Sequence, residues 1–345
     1  MSTIDLRSDT ITRPTPAMRK AMTSAEVGDD VFGDDPSVNL LQARAAELLG
    51  MEAALFVPSG TMANQVAIRA HTEPGDEIIV ESGSHIFLYE GGGFAALSGV
   101  SARCVDGEGG LLSAADVQAA IRPPGGLSHF PNTKLVCLEN TANRGGGTVY
   151  TTERTDAIAQ VARDAGLALH LDGARLFNAA VALDLPVAAL AAPFDSVSFC
   201  LSKGLGCPVG SLLVGSSSFI ARAHRFRKMF GGGMRQAGIL AAAGNHALDH
   251  HIARLADDHR RARHLGEALA VLPGISVDLK TVVTNMVYVD ITETGRDAAA
   301  WTEALQAQGV LLAAVSDTEV RVVTHLDVDD RGIDRAIEVF AGLAG

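Results

Sequence analysis

The sequence is poor in cysteine and has no long uninterrupted apolar segment. Its four cysteines, at positions 104, 137, 200 and 207, form no Cys-x-x-Cys pair. A disulfide framework and a zinc site of standard spacing are therefore not expected, and we predict no metal site. No apolar run is long enough to cross a bilayer, and the N-terminus lacks the apolar stretch of a signal peptide. These absences predict a cytoplasmic protein that does not engage membranes.

Positive charge is also scarce. The 28 basic residues stand against 40 acidic ones, which gives a net charge of −12. Phosphate backbones repel such a surface, so nucleic acid is not expected as a partner. Basic residues do cluster in one segment, where they form either a solvated helix face or a site for a small phosphate or carboxylate group. The cluster consists of Arg222, Arg225, Arg227, Lys228 and Arg235.

The common nucleotide-binding motifs are missing. Gly204 and Gly206 are not followed by the third glycine of a Gly-x-Gly-x-x-Gly motif, and no Gly-Lys-Ser/Thr occurs, so a P-loop is excluded. A weaker phosphate signal is present in the turn after Phe56-Val57. There Gly60 permits close approach of the backbone, Thr61 offers a hydroxyl group, and the N-terminus of the following helix supplies free amides.

Short apolar runs alternate with helix-like segments between about residues 50 and 215. The runs are continuous and rich in Val, Ile and Leu, which is typical of parallel strands buried on both faces and covered by helices. The predicted strands are Ala53–Val57, Glu77–Val80, Thr133–Leu138, Leu167–Leu171, Ser196–Leu201 and Ser211–Val214. Helical periodicity lies between them over Thr61–His71, Ala114–Ile121 and Thr152–Asp164.

Four regions are predicted. Residues 1–40 lack regular periodicity and are expected to pack on the large domain or on a partner subunit. Residues 41–235 are predicted to form the large domain, and 236–272 linking helices, with one long helical stretch over Gln236–Ala270. Residues 273–345 contain two apolar strands and two helical segments and are predicted to form a small α/β domain.

Two side chains at the ends of predicted strands are of types that bind a cofactor. Lys203 follows an apolar strand where glycines let the backbone turn, and a lysine in such a place can be a neutral nucleophile that forms a Schiff base. Asp172 follows the preceding strand. Pyridoxal phosphate needs a lysine to hold its aldehyde and a carboxylate against its pyridine nitrogen. Alternatively, Lys203 only caps a strand and Asp172 is the N-cap of the next helix.

Two further residues are candidates on their position alone. His85 follows another strand and can stack on a planar cofactor or act as a base, or it is a solvent-facing loop histidine. Arg321 lies within the predicted strand Glu319–Thr324, where it binds a substrate carboxylate or simply occupies a strand edge.

Taken together, five motifs resemble those of the low-specificity L-threonine aldolase family. They are Asp5-Leu-Arg-Ser-Asp-Thr, Val31-Phe-Gly-Asp-Asp-Pro-Ser-Val-Asn, Asp172-Gly-Ala-Arg, Leu201-Ser-Lys-Gly-Leu-Gly and Gly231-Gly-Gly-Met-Arg-Gln. The resemblance implies the aspartate aminotransferase-like α/β fold, called fold type I, with a mainly parallel seven-stranded sheet. It also implies pyridoxal phosphate at a dimer interface and a homotetramer built as a dimer of dimers.

The resemblance also implies roles for individual residues. Lys203 is similar to the Schiff-base lysine, Asp172 to the partner of the ring nitrogen, and His85 to the histidine stacked on the ring. The residues implied to bind the cofactor phosphate are Gly60, Thr61, Lys228 and Arg235. Those implied to bind the substrate carboxylate are Ser8, Arg175 and Arg321, and Arg175 is also implied to contact the cofactor. His129 and Tyr89 are implied to shape the pocket for the substrate side chain.

The implied reaction is retro-aldol cleavage of L-threonine and L-allo-threonine to glycine and acetaldehyde, a step of threonine catabolism. An aldolase for another β-hydroxy-α-amino acid, such as phenylserine, and a pyridoxal-phosphate-dependent β-eliminating lyase stay open as alternatives. A non-catalytic phosphate-binding protein is a third. One departure from the family is Ala142, where many members carry histidine, and it bears on side-chain preference.

Overall fold

The computed structural model describes residues 3–123 and 129–344, and a seven-stranded sheet forms its centre. The strands are β1 (Ile4–Asp5), β2 (Ala53–Val57), β3 (Glu77–Glu81), β4 (Ser101–Val105), β5 (Thr133–Glu139), β6 (Ala168–Asp172), β7 (Ser196–Cys200), β8 (Ser211–Gly215), β9 (Met286–Asp290), β10 (Val310–Leu311), β11 (Ala313–Ala314) and β12 (Glu319–Val323). The helices are α1 (Pro16–Thr23), α2 (Pro36–Leu49), α3 (Gly60–His71), α4 (His85–Leu88), α5 (Gly93–Ser98), α6 (Ala114–Ala120), α7 (Thr152–Asp164), α8 (Leu176–Leu183), α9 (Val187–Ala191), α10 (Ser217–Met229), α11 (Gly238–His250), α12 (Leu255–Leu269), α13 (Ala298–Ala307) and α14 (Asp330–Ala344).

Strand order in the large sheet is β2-β8-β7-β6-β5-β3-β4. β8 runs antiparallel to both of its neighbours, whereas the pairs from β7 to β4 are all parallel. The carboxyl ends of β3, β5, β6 and β7 therefore lie at one edge of the sheet. In open α/β sheets this is the edge where ligands bind.

The described residues form four hydrophobic cores, of which the two largest lie in different parts of the chain. The larger packs helices onto the seven-stranded sheet and draws its residues from Met18 to Leu255. The second core surrounds the antiparallel sheet β11-β12-β9 and contains Trp301 and Phe340, both fully buried. Leu6, just after β1, also belongs to the second core, because β1 pairs with β10. No helix in these residue ranges is long and apolar enough to span a membrane.

The predicted α/β class with a mainly parallel seven-stranded sheet is confirmed. All six apolar runs between residues 50 and 215 are strands, and every residue of β3, β7 and β8 is buried, which explains why these strands show no alternation of apolar and exposed polar residues. The seventh strand, β4, escaped prediction because it lies at the sheet edge and its residues are half-buried or exposed. The division of the chain at residues 40, 235 and 272 stays a prediction.

Residues 1–40 contain helices although their sequence lacks regular periodicity. α1 lies entirely within this segment and α2 begins in it. Each helix starts with a capping side chain followed by proline: Thr15 accepts a hydrogen bond from Met18 N, and Asp35 accepts from Ser37 N and Val38 N. Proline at the first helical position marks a helix start, because its missing N–H would have no partner there.

The helical stretch predicted over Gln236–Ala270 is divided into two helices. The chain forms α11 and α12, separated by a turn at residues 251–254. At this turn the buried ring of His251 makes a hydrogen bond of 2.7 Å to the carbonyl oxygen of Leu205. The turn thus packs directly against the loop that follows Lys203.

Candidate active site

A cavity of about 390 Å³ opens at the carboxyl edge of the large sheet, facing the small antiparallel sheet. Seven of the residues singled out from the sequence line it: Ser8, His85, Tyr89, Asp172, Arg175, Lys203 and Arg321. They come from the N-terminal segment, from three strand ends of the large sheet and from β12 of the small one. The fold thus gathers most of the predicted site in one place.

The Lys203 side chain reaches this cavity because its backbone is held in a tight loop between β7 and β8. Its carbonyl oxygen accepts hydrogen bonds from Gly206 N at 2.8 Å and from Thr12 Oγ1 at 3.2 Å. Gly206 has a φ of 75°, a left-handed conformation that favours glycine. The glycines noted in the sequence therefore fix the turn that aims the lysine.

Asp172 ends β6 and is only 2% exposed. One carboxylate oxygen accepts a hydrogen bond of 2.7 Å from Asn64 Nδ2, and the other accepts one of 3.1 Å from Ala174 N. Asp172 is therefore not an N-cap: the cap position of the next helix, α8, belongs to Arg175. Its carboxylate is buried, hydrogen-bonded and open to the cavity.

His85 begins α4, and its ring Nδ1 lies 2.9 Å from Glu90 Oε1, whose side chain is fully buried. Burial opposes the protonated ring, but the hydrogen bond to Glu90 and the charge of Asp172 outweigh it and raise the pKa of His85. Because Glu90 engages Nδ1, Nε2 is the ring nitrogen left for a ligand. His85 is thus suited to accept and return a proton near neutral pH.

Glu139 ends β5 directly beside Asp172 in the sheet and also lines the cavity. Its two carboxylate oxygens accept hydrogen bonds from the backbone N–H groups of His85, at 2.6 Å, and Asn143, at 2.8 Å. Burial and then the negative charge of Asp172 raise the pKa of Glu139 to about 7. The residue therefore positions the start of α4 and limits the negative charge beside Asp172.

The two predicted carboxylate-binding arginines differ in their surroundings. Arg175 forms a buried two-point ion pair with Asp9, with N–O distances of 2.7 and 2.6 Å. Although burial acts against it, Arg175 lowers the pKa of Asp9 to about 2. Arg321 donates to Asn143 Oδ1 at 2.8 Å, and its buried Nε has no hydrogen-bond partner within the described residues. An unpaired buried N–H in a cavity wall fits an anionic ligand.

Gly60 and Thr61 form the N-terminus of α3, capped by Ser59. A Cβ atom on Gly60 would lie 2.6 Å from Cys200 Sγ, which is closer than real Cβ contacts, so only glycine fits against the end of β7. Asn64, one turn further along α3, holds Asp172. The two predicted phosphate residues are therefore on the same helix as a residue that contacts the cavity wall.

Besides Gly60 and Thr61, which lie at the start of α3, three predicted residues do not line the cavity of this chain. Arg235 is exposed and pairs with Asp29 at 2.9 Å, and Lys228 is exposed on the last turn of α10. His129 is exposed and its ring lies 4.7 Å from that of Phe130. The structure of the single chain does not bring these three side chains to Lys203.

Several site residues were missed by sequence reasoning. Asn64, Glu90 and Glu139 surround Asp172 and His85, and Arg144 lines the cavity mouth beside Tyr89, with its guanidinium 6.0 Å from the ring centroid. Glu139 could have been found, since it directly follows the predicted strand Thr133–Leu138, as Asp172 directly follows the predicted strand Leu167–Leu171. Ala142, the departure from the family pattern, is buried in the large core rather than in the cavity wall.

A larger cavity of about 990 Å³ lies at the opposite, amino-terminal edge of the parallel strands, around His71 and Phe219. Volume alone would favour it as a binding site. We assign the chemistry to the smaller cavity because it combines a lysine, a histidine and two arginines with buried carboxylates at the edge where α/β sheets bind ligands.

The residues around the smaller cavity fit pyridoxal phosphate. That cofactor requires an amine for its aldehyde, a carboxylate for its ring nitrogen and free backbone N–H groups for its phosphate. Lys203 and Asp172 supply the first two on one cavity, and the glycine-lined start of α3 supplies the third. The buried hydroxyl of Ser211, beside Gly60, has no partner among the described residues and adds a donor there.

Comparisons with known proteins agree with this geometry. Residues 5–292 match the model of the β-eliminating lyase family. The low specificity L-threonine aldolase of Escherichia coli K12 is 49% identical over 94% of this chain and 94% of its own length. The threonine aldolase structure from Leishmania major superimposes with a TM-score of 0.84 at 22% identity, covering 99% of both chains. A structure of SPT with PLP has a TM-score of 0.75 at 19% identity and covers 99% of this chain and 87% of its own.

Proposed function

The chain belongs to the low-specificity L-threonine aldolase family, and from that premise we propose that it cleaves L-threonine and L-allo-threonine to glycine and acetaldehyde with pyridoxal phosphate. The observation that carries the proposal is the meeting of Lys203, Asp172, His85 and Arg321 on one cavity. These four side chains cover the requirements of the reaction: a cofactor anchor, a ring partner, a base and a carboxylate binder.

Pyridoxal phosphate, when bound, withdraws electrons from the Cα–Cβ bond of an attached amino acid and thereby weakens that bond. Lys203 would hold the cofactor through its side-chain amine. Asp172 keeps a proton at the ring nitrogen, because a buried carboxylate favours a positive charge beside it. The start of α3, at Gly60 and Thr61, binds the phosphate with its free N–H groups.

The other residues act on the amino acid. Arg321 binds the substrate carboxylate through its unpaired Nε, with Ser8 and the remaining N–H groups of Arg175 beside it. His85 takes the proton of the β-hydroxyl group as the Cα–Cβ bond breaks and the carbonyl group of the aldehyde forms. A proton then returns to Cα, and glycine leaves. The raised pKa of His85 suits it to both proton transfers near neutral pH.

The aldolase reaction is favoured over β-elimination by the relatives, since the Escherichia coli protein is named for aldolase activity and matches nearly the whole chain. To test this, the purified protein is incubated with L-threonine, L-allo-threonine and L-serine, and acetaldehyde, formaldehyde, glycine and pyruvate are measured. We expect equal amounts of acetaldehyde and glycine from both threonine isomers. Pyruvate without aldehyde would reject the proposal in favour of elimination.

A variant tests the role of His85. His85→Gln should lower kcat by roughly a hundredfold to ten-thousandfold, the range for loss of a general base, while the visible absorption of the bound cofactor persists. His264→Gln is the matched control, since this histidine is exposed on α12. If His85→Gln retains full kcat, the proton acceptor is another group.

We further propose that Arg235 and Lys228 bind the cofactor phosphate of a partner subunit in a homo-oligomer, with the dimer as its unit and a dimer of dimers as the assembly. Both side chains are exposed and lie away from the cavity of their own chain. Exposed apolar side chains accompany them: Phe32 is 75% exposed and Met229 61% exposed. Large apolar side chains at a polar rim are typical of an interface.

Mixed subunits test this arrangement. Lys203→Ala and Arg235→Ala should each be nearly inactive alone, but a mixed dimer would have one complete site if Arg235 serves the partner. Co-refolding them should restore about a quarter of wild-type activity, because half of the dimers are mixed and each has one working site of two. The control mixes Lys203→Ala with Asp172→Ala, whose positions share one chain's cavity, so no recovery is expected. Equal recovery in both mixtures, or none in either, contradicts the shared site.

We also propose that the protein acts in the cytoplasm, in threonine catabolism. Support comes from its four cysteines, all of which are free thiols. No nucleic acid or membrane partner is proposed, in line with the net charge of −12.

A further inference from the structure

A buried hydrogen-bond network connects Asp172 to the far side of the sheet. It consists of Asn64, His170, Ser196 and His71, which we call the Asn64 network. We propose that Asn64 and His170 are positioning residues, which hold the carboxylate of Asp172 against the cofactor ring through a one-directional series of hydrogen bonds. The inference rests on the proposed function, because it takes Asp172 to be the partner of the ring nitrogen.

The orientation of the Asn64 amide follows from its neighbours. Its Nδ2 lies 2.7 Å from Asp172 Oδ2 and 2.8 Å from Glu90 Oε1. Both neighbours are carboxylate oxygens, which accept hydrogen bonds, so the two N–H groups of the amide must face them. The amide oxygen then faces the other way, where Ser198 Oγ donates to it at 3.0 Å.

This orientation fixes the tautomer of His170. The Nε2 of His170 lies 3.2 Å from Asn64 Oδ1, which can only accept, so Nε2 must carry the hydrogen. His170 is fully buried, and burial lowers its pKa to about 3, so the ring is neutral and Nδ1 bears no hydrogen. Ser196 Oγ, 2.9 Å from Nδ1, must therefore donate to it.

The same reasoning reaches the end of the network. With its hydrogen used toward His170, Ser196 Oγ accepts from His71 Nε2 at 2.8 Å. Burial lowers the pKa of His71 to about 4, so this ring is also neutral. In the series from His71 through Ser196 and His170 to Asn64, each hydrogen bond thus points its positive end toward Asp172.

Such an alignment strengthens the hydrogen bond from Asn64 to the carboxylate of Asp172. Asp172 is almost fully buried, and the carboxyl groups of Glu90 and Glu139 are close by. Aligned hydrogen bonds in a low-dielectric interior polarise one another, so the series holds this carboxylate more firmly than a single hydrogen bond would.

The position of these residues in the fold makes the network rigid. Asn64 and His71 lie on α3, whereas His170 and Asp172 lie two residues apart on β6 and therefore on the same face of the strand. α3 also carries Gly60 and Thr61 at its start. The helix α3 thus connects three features: the phosphate end of the site, the ring partner Asp172, and the cavity at the opposite edge of the sheet.

The first test measures tautomers in the protein freed of cofactor. With 15N-labelled histidine, long-range 1H–15N correlations distinguish Nε2–H from Nδ1–H rings, and His170→Gln and His71→Gln assign the signals. We expect both rings to be neutral with the hydrogen on Nε2 throughout the pH range in which the protein is folded. A hydrogen on Nδ1 of His170, or a protonated ring, overturns the proposal.

The second test measures cofactor binding by fluorescence titration. His170→Leu removes the donor to Asn64, whereas the amide of His170→Gln can still donate to it. For the leucine variant we expect a dissociation constant for the cofactor about tenfold higher, a kcat about tenfold lower and an unchanged KM for the substrate. For the glutamine variant we expect the dissociation constant and kcat to return to within about threefold of the wild-type values. Equal loss in both variants, or a raised KM, indicates a merely structural role and overturns the proposal.

The two tests separate this inference from the proposed function. If wild-type protein binds no pyridoxal phosphate, the proposed function fails, whatever the tautomers are. If the wild type binds the cofactor and His170→Leu binds it equally well, only the role of the Asn64 network fails. Should His170→Leu not fold, Ser196→Ala removes the next donor in the series and is expected to weaken cofactor binding by a smaller factor of about three.

Discussion

Asp9 and Glu139 are both buried carboxyl groups of the cavity region, and their surroundings move their pKa values in opposite directions. Asp9 faces the guanidinium of Arg175, which lowers its pKa to about 2 in spite of burial. Glu139 accepts only backbone N–H groups and lies beside Asp172, so burial and this charge raise its pKa to about 7. The two residues therefore make stability depend on pH with opposite signs.

Glu139 should destabilise the protein as the pH rises. Between its ordinary pKa of 4.5 and about 7, the folded protein keeps a proton that the unfolded chain releases, so the free energy of unfolding falls across this range. Glu139→Gln cannot release that proton and should flatten the fall. Urea unfolding at about pH 5 and about pH 8 measures the slope. Glu303→Gln, on the exposed side of α13, is the control and should leave the wild-type slope unchanged.

Asp9 should stabilise the protein at all but very low pH. Its contribution is complete above the ordinary pKa of 3.8 and is lost as the pH falls toward about 2. Asp9→Asn leaves Arg175 buried without a counter-charge, so we expect a loss of about 3–5 kcal/mol in urea unfolding at neutral pH. Glu338→Gln breaks an exposed pair with Arg335 and should cost less than about 1 kcal/mol. Similar losses in the two variants would contradict this account.

The side chain at the start of α2, Asp35, joins several parts of the N-terminal segment. Asp35 is fully buried, caps α2, and also accepts hydrogen bonds from Gly28 N at 3.2 Å and Gly238 N at 2.7 Å. It thus joins the loop before α2, the helix itself and the start of α11. A side chain in this position does more than cap one helix.

Asp35→Ala should therefore cost more than an ordinary cap. Loss of a capping side chain costs about 1 kcal/mol, and we expect at least twice that, because four backbone N–H groups lose their acceptor. Asp297→Ala is the matched control, since Asp297 caps α13 near the surface through Ala300 N alone. Both free energies come from urea unfolding. Equal costs would show that the contacts of Asp35 outside α2 add nothing.

At the scale of elements, sequence reasoning succeeded where burial is uniform. The strands of the large sheet were predicted because both of their faces are buried, and the side chains at their ends, Asp172 and Lys203, could be recognised from position. The edge strand β4 and the capped helix α1 lack an unbroken apolar pattern and were missed. Asn64 and Glu90 could not be found either. Their importance comes from contacts between distant parts of the chain, namely α3, the segment after α4, and β6, and no local sequence pattern indicates such contacts.

At the scale of the whole molecule, the active site lies between two cores that the N-terminal segment connects. β1 pairs with β10, and the backbone oxygen of Leu6 accepts a hydrogen bond from Val323 N at 2.9 Å. Directly after Leu6, the chain passes through Ser8 and Asp9 at the cavity. The position of the substrate-binding residues thus depends on how firmly Leu6 is packed in the second core.

Leu6→Ala should therefore weaken both stability and substrate binding. Truncating a fully buried leucine costs about 2–5 kcal/mol, and the loosened segment should raise the KM for L-threonine several-fold while cofactor absorption stays unchanged. Leu305→Ala is the control, because Leu305 is equally buried in the same core but lies on α13, away from the cavity. It should cost similar stability and leave KM unaltered. If both variants raise KM equally, general loosening of the second core, and not the path of the chain from Leu6 to Ser8, controls the binding of substrate.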